Sequence, residues 1–154
     1  MLRAHVTGLD SLIREFDRKI DGMEEALDEG CLDAAEYLQE KIEDKFGTYQ
    51  KGWKPLLYKT IAKERKMGYG ANATKPLVMS GDMMFSFATQ ISNKTRKHTV
   101  AIVSDDEKLP YHMYGVPSEG VPKRDPVRPT VKEEREACYK IVRDKVKELM
   151  DGKI

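Results

Sequence analysis

Apolar residues recur at steps of three and four from Ile13 through Phe16, Ile20, Met23, Leu27, Cys31, Ala35, Leu38 and Ile42 to Phe46. Side chains at that spacing share one face, so the stretch reads as a single amphipathic helix whose other faces are dominated by Glu and Asp. Thr7-Gly8-Leu9-Asp10-Ser11 marks the turn into it, with Asp10 or Ser11 as N-cap. Leu2 to Val6 reads as a short strand or arm, and Gly47 as the residue that ends the helix. At about 1.5 Å per residue the helix is about 50 Å long if unbroken. Gly22 and Gly30 each cost it about 1 kcal/mol, and Gly30 is the better candidate for a bend. Such a helix outruns the rest of a small domain, so part of its apolar stripe needs a cover not supplied locally.

The period changes in the middle of the chain. Leu57 to Met67 is a short basic helix, and Gly68 to Thr74 a flexible loop. Ser80 is placed as an N-cap ahead of Met83, Met84 and Phe85. Phe87 to Ile91 alternates apolar and polar, Asn93 to Lys97 is a polar turn, and Val100, Ile102 and Val103 supply a β-branched return strand. A tight helical segment then ends at Gly115. Residues 116–129 contain Pro117, Pro122, Pro126 and Pro129, so they are expected to be an extended arm that orders on a neighbouring subunit. Thr130 and Glu133 form a capping box for a last helix to Met150, with Cys138, Ile141, Val142, Val146 and Leu149 on its apolar face.

Several of these residues also carry a family signature. Pro76-Leu77-Val78, Ser80-Gly81-Asp82-Met83 and Ser86 resemble the pattern P-L-x-x-[ST]-G-x-[LM]-x-x-S of bacteriophage tail-completion proteins, also called phage virion morphogenesis proteins, known from Mu-type and P2-type phages. Phe46-Gly47 closes the long helix, and Gln50, Gly52-Trp53, Pro55-Leu56 and Thr60 that follow are similar to the family's G-x-x-W-x-P-L-x-x-x-T. Tyr111-His112-Met113-Tyr114-Gly115 resembles Y-A-x-x-H-Q-x-G, with the histidine directly after the tyrosine rather than three positions on. Arg128-Pro129 stands where members carry an arginine-containing motif. The resemblance runs from about Phe46 to the C-terminus. It implies a structural role at the head–tail junction, in a closed ring taken as six-fold. Trp53, Pro55 and Leu56 would fix the connector, Gly81 would allow close packing, Tyr111 and Gly115 would set the exit from the sheet, and Arg128 completes the interface candidates.

Composition narrows the classes. With 154 residues, 40% apolar and 34% charged, the chain is one domain's worth with a modest core. No apolar run approaches the roughly 20 residues of a membrane span, and the first residues lack the apolar stretch of a signal peptide. The chain is therefore expected to be made and kept in a cytosol, or to leave by lysis; the phage resemblance implies that this is the host cytoplasm. Cys31 and Cys138 are read as reduced, buried thiols. Charge is uneven: residues 1–50 carry a net −7, residues 51–100 a net +8, and residues 101–154 are balanced. Three arrangements fit: neutralisation within the chain, contact between neighbouring copies, or a nucleic-acid face on the basic middle.

Catalytic chemistry finds little support. His5, His98 and His112 match no metal-ligand or catalytic spacing, and neither cysteine has a readable histidine partner. Asp105-Asp106-Glu107 reads as a solvated turn rather than a cation site. The glycines of 68–70 lack the lysine and preceding strand of a phosphate loop. Lys94, Arg96 and Lys97 at the hairpin tip are candidates for facing DNA in a ring lumen, through sequence-blind phosphate contacts.

The expected fold is α+β, with a long N-terminal helix and a C-terminal helix packed on a small antiparallel sheet. One domain spans 1–154: arm and long helix (1–47), connector with the basic helix (48–74), helical turn, hairpin and short helix (75–115), extended arm (116–129) and last helix (130–154). The expected function is a non-enzymatic virion protein of the neck, without cofactor or metal. Its partners would be copies of itself and other neck and tail proteins, namely the connector or stopper, the tail terminator and the tail tube. Alternatives are a tail terminator or head-completion protein of the same junction, or a small non-specific DNA-binding module using residues 51–100.

Overall fold

The computed structural model describes residues 9–91 and 98–152. The fold is α+β. In chain order it comprises α1 (Leu9–Glu43), α2 (Tyr58–Lys66), β1 (Phe87–Ile91), β2 (Val100–Ser104), α3 (Leu109–Tyr114) and α4 (Arg128–Met150), with short 3-10 turns between. The two strands pair antiparallel, Phe87 opposite Ser104 and Ile91 opposite Val100. No helix among the described residues is long and apolar enough to cross a membrane.

α1 is an unbroken 35-residue helix. α4 lies antiparallel along it: Gly22 faces Leu149, Gly30 faces Val142, the Cys138 thiol reaches the Ala34 carbonyl, and the Tyr37 hydroxyl donates to Glu134. Gly22, Ala26, Gly30 and Ala34 recur every four residues, which places them on one stripe of α1. A β-carbon added to Gly30 would sit 3.1 Å from the Val142 Cα. The helix runs on without a break through Gly30, which lets two backbones approach. Ion pairs flank the seam, with Lys145 Nζ 3.0 Å from Glu29 and Lys45 Nζ 2.9 Å from Glu133.

The hairpin also lies against α1. Gln39 Nε2 donates to the Phe87 carbonyl at 3.2 Å, and His98 Nδ1 is 2.9 Å from the Asp28 carboxylate. The core gathers at the C-terminal end of α1, where Ile42, Phe46, Val78, Met83, Phe87 and Leu109 are buried together. The Phe46 and Phe87 rings meet edge to face, 5.9 Å apart. α1 gives way to a turn at Asp44, and the Gly47 N–H donates to the Pro76 carbonyl at 2.9 Å, with φ at 77°. That left-handed conformation suits glycine.

Three expectations are corrected. The segment 116–129 is not a free arm throughout, because Arg124, Asp125 and Pro126 are buried in their own chain. α4 begins at Arg128, two residues before the anticipated cap. Asp125 Oδ1 accepts from the N–H groups of Val127 and Arg128 at 3.0 and 3.1 Å, while the Thr130 hydroxyl donates back to the Pro126 carbonyl. Residues 70–74 form a 3-10 turn with Ala73 fully buried rather than a flexible loop. The expected N-terminal arm and the hairpin tip lie outside the described residues.

α4 ends at Met150 near Gly22, so about three and a half turns of α1 project beyond it. On them Ile13, Phe16 and Ile20 are 48%, 58% and 63% exposed.

The seam makes a paired prediction. Gly22→Ala meets only the flexible end of Leu149, so recovered helix propensity should raise stability by about 0.5–1 kcal/mol. Gly30→Val meets backbone and should lower it by about 1–3 kcal/mol. Urea midpoints of the two variants check the opposite signs.

Candidate functional site

The connector after Gly47 has little helix or strand, so its backbone polar groups need partners elsewhere. The Trp53 N–H closes a turn on the Gln50 carbonyl, and the Leu56 N–H donates to the Tyr49 hydroxyl at 3.1 Å. Arg124 supplies a further donor. Its side chain is 4% exposed, and its guanidinium donates to the Lys54 carbonyl at 2.9 and 3.2 Å. Its own N–H donates to the His112 carbonyl at 2.7 Å, so one residue joins the connector to α3.

α3 is positioned by its own cap. Asp106 Oδ1 accepts from the N–H groups of Lys108 and Leu109, at 2.7 and 3.2 Å, which gives that carboxylate a structural partner. The helix stops at Gly115, whose N–H donates to the Tyr111 carbonyl at 2.8 Å with φ at 76°. The chain then doubles back through a Val116–Val121 bridge. It passes so close that a β-carbon on Gly115 would lie 2.9 Å from the Lys123 nitrogen. Glycine is required there on both counts.

Connector, residues 75–83, α3 and this return loop enclose a cleft of about 890 Å³. Pro55, Leu56, Gly81 and Gly115 all line it, so four of the seven sequence-derived interface candidates share one wall system. Gly81 is buried at φ 91°, with the Phe85 ring 3.3 Å from where its β-carbon would be. Leu77 on the same wall holds φ 66°, a conformation costly for a residue with a β-carbon. The other three candidates do not line the cleft. Trp53 is half-buried, Tyr111 is exposed on α3, and Arg128 lies 4.4 Å over the Tyr114 ring while pairing with Asp125. Lys94, Arg96 and Lys97 lie outside the described residues.

The lining carries six Lys or Arg against four Asp or Glu. Burial raises the Glu64 carboxyl pKa, an effect opposed by Arg124. Burial, and then Arg124, lowers that of His112, whose Nδ1 is enclosed without a hydrogen-bond partner. Arg124 was the residue missed in sequence: between Lys123 and Asp125 it reads as part of an ordinary charged run. Cys31 and Cys138 are free and half-buried, and burial raises both pKa values, which suppresses thiolate chemistry. Among the described residues no cluster of His, Cys, Asp or Glu could hold a metal ion. What the arrangement can do is bind: an apolar floor with a cationic bias suits an amphipathic, acidic segment. No protein-family model, curated protein or solved structure matches the chain.

Arg124→Ala leaves the Lys54 carbonyl without its donor and should cost about 2–3 kcal/mol. Limited proteolysis within 48–57 should accelerate in step. His112 sets a pH dependence. Its folded pKa is lowered, so the unfolded chain binds the proton more readily. Its contribution is therefore complete above the unfolded value of about 6.5 and is lost as pH falls below it. The fall in urea midpoint between about pH 7.5 and about pH 5.5 should be smaller in His112→Gln.

Proposed function

We propose that this chain is a structural subunit of a phage neck, completing the tail and joining it to the head connector as one member of a closed ring. The order of the motifs from Gly47 to Arg128 supports the family reading. The observation that carries the assembly reading is the exposed apolar stripe of Ile13, Phe16 and Ile20 on a helix that outreaches its own cover. Monomeric proteins rarely leave large contiguous apolar patches in water, and a ring closes through heterologous contacts between different faces. The partners are then copies of the chain and the neck and tail proteins above and below, and the destination is the virion. Binding surfaces do the work, and no catalytic step is assigned.

The test is genetic and visual. A phage carrying a stop codon in this gene should yield filled heads and separate tails in electron micrographs, with joined particles restored by supply in trans. Normal joined, infectious particles from the mutant would overturn the reading.

A DNA contact is the second reading, favoured by α2, where Lys59, Lys63, Arg65 and Lys66 form no ion pair among the described residues. Purified protein should then retard duplex DNA with an affinity that falls steeply with salt. Reversing the charges of Lys59 and Lys63 should abolish the retardation, and unchanged retardation would reject α2 as the contact.

A further inference from the structure

Two surfaces of this chain are unsatisfied, and they lie too far apart to satisfy each other. The first is the projecting end of α1, with Ile13, Phe16 and Ile20 exposed on one stripe. Asp17, Asp21 and Glu25 follow along the same stretch without an ion pair among the described residues. Residues 9–29 together hold eight Asp or Glu against three Lys or Arg. The second is the cleft, lined by five lysines against four acidic residues besides the buried Arg124, where lining Leu57 and neighbouring Tyr58 are 57% and 83% exposed.

The cleft is built at the far end of α1. Its wall residue Leu77 packs on the core cluster that contains Ile42 and Phe46. From Phe16 to Ile42 a straight helix runs about 39 Å at about 1.5 Å per residue. The projecting end of a chain therefore cannot turn back into the cleft of the same chain. Nor does the basic middle neutralise α1 through α2: the latter packs on the 70–74 turn.

We infer that the projecting end of α1 from one copy docks in the cleft of the next, with its apolar stripe against Leu56 and Leu57 and its carboxylates toward the lysines of the rim. The inference rests on the ring-subunit reading and adds the two faces that meet. Each copy donates at one end and accepts at the other, so the contact is heterologous and propagates head to tail until rotation closes it. An apolar stripe gives the contact its burial, and the opposite charges fix its register and disfavour pairing of two projecting ends.

The experiment uses two full-length variants altered at exposed positions. Phe16→Glu with Ile20→Glu disables the projecting end. Leu57→Asp with Lys59→Glu disables the cleft side, and acidic residues at the start of α2 suit its N-terminus, so the fold is retained. Circular dichroism and thermal melts confirm folding. Sedimentation velocity is run on wild type, each variant and a one-to-one mixture, up to about 1 mM, where even a weak contact is populated. Wild type should associate progressively, each variant alone should stay monomeric, and the mixture should give a dimer and nothing larger. In that mixture one intact end meets one intact cleft.

A cleft variant that assembles like wild type would overturn the inference by showing that projecting ends pair with each other. A mixture that stays monomeric while wild type associates would overturn it too. Wild type that remains monomeric throughout would also overturn it, yet leave the neck reading to the micrographs of the stop-codon phage. Failure of one is thus separable from failure of the other.

Discussion

A mismatch of length governs this molecule. α1 has 35 residues and α4, which covers one side of it, has 23. Two antiparallel helices that share a seam can bury only the shorter one's span. The remainder of the longer helix keeps its amphipathic pattern without a second layer. In most domains the chain would end or turn where its cover ends. Here an apolar stripe continues into solvent at Ile13, Phe16 and Ile20.

Contacts along the rest of α1 hold it against its own chain. The small-residue stripe of Gly22, Ala26, Gly30 and Ala34 brings α4 close, and the ion pairs of Lys145 and Lys45 fix its register. The hairpin presses on another face through Gln39 and Asp28. The core of Ile42, Phe46, Val78 and Phe87 anchors the far end and forms the back of the cleft. The projecting stripe and the cleft thus lie toward opposite ends of one helix.

Much of this was legible in the residues. The spacing from Ile13 to Phe46 announced one long helix, because a 3.6-residue period sustained that far fits neither a strand nor a loop. The alternation of Phe87 to Ile91 and the β-branched run at Val100 announced the hairpin. What propensity could not convey was the role of the glycines. On its own, Gly30 counts as a helix cost, and only the position of Val142 shows it to be a point of close approach. The start of α4 was misplaced for a related reason: Thr130 and Glu133 fit a capping pattern, but Asp125 competes for the same job from farther upstream. Arg124 was invisible because burial of a charge depends on carbonyls seventy residues away in sequence. The cleft was half legible: Pro55, Leu56, Gly81 and Gly115 were singled out, but nothing in their order foretold a shared wall.

Arg124 and Asp125 are consecutive, and they serve different masters. One side chain grips the connector at Lys54, and the next holds the first turn of α4. A single peptide, about 3.8 Å from Cα to Cα, separates the anchor of the connector from the anchor of α4. Moving either anchor therefore moves the other, so the wall of the cleft and the start of α4 share one point of attachment.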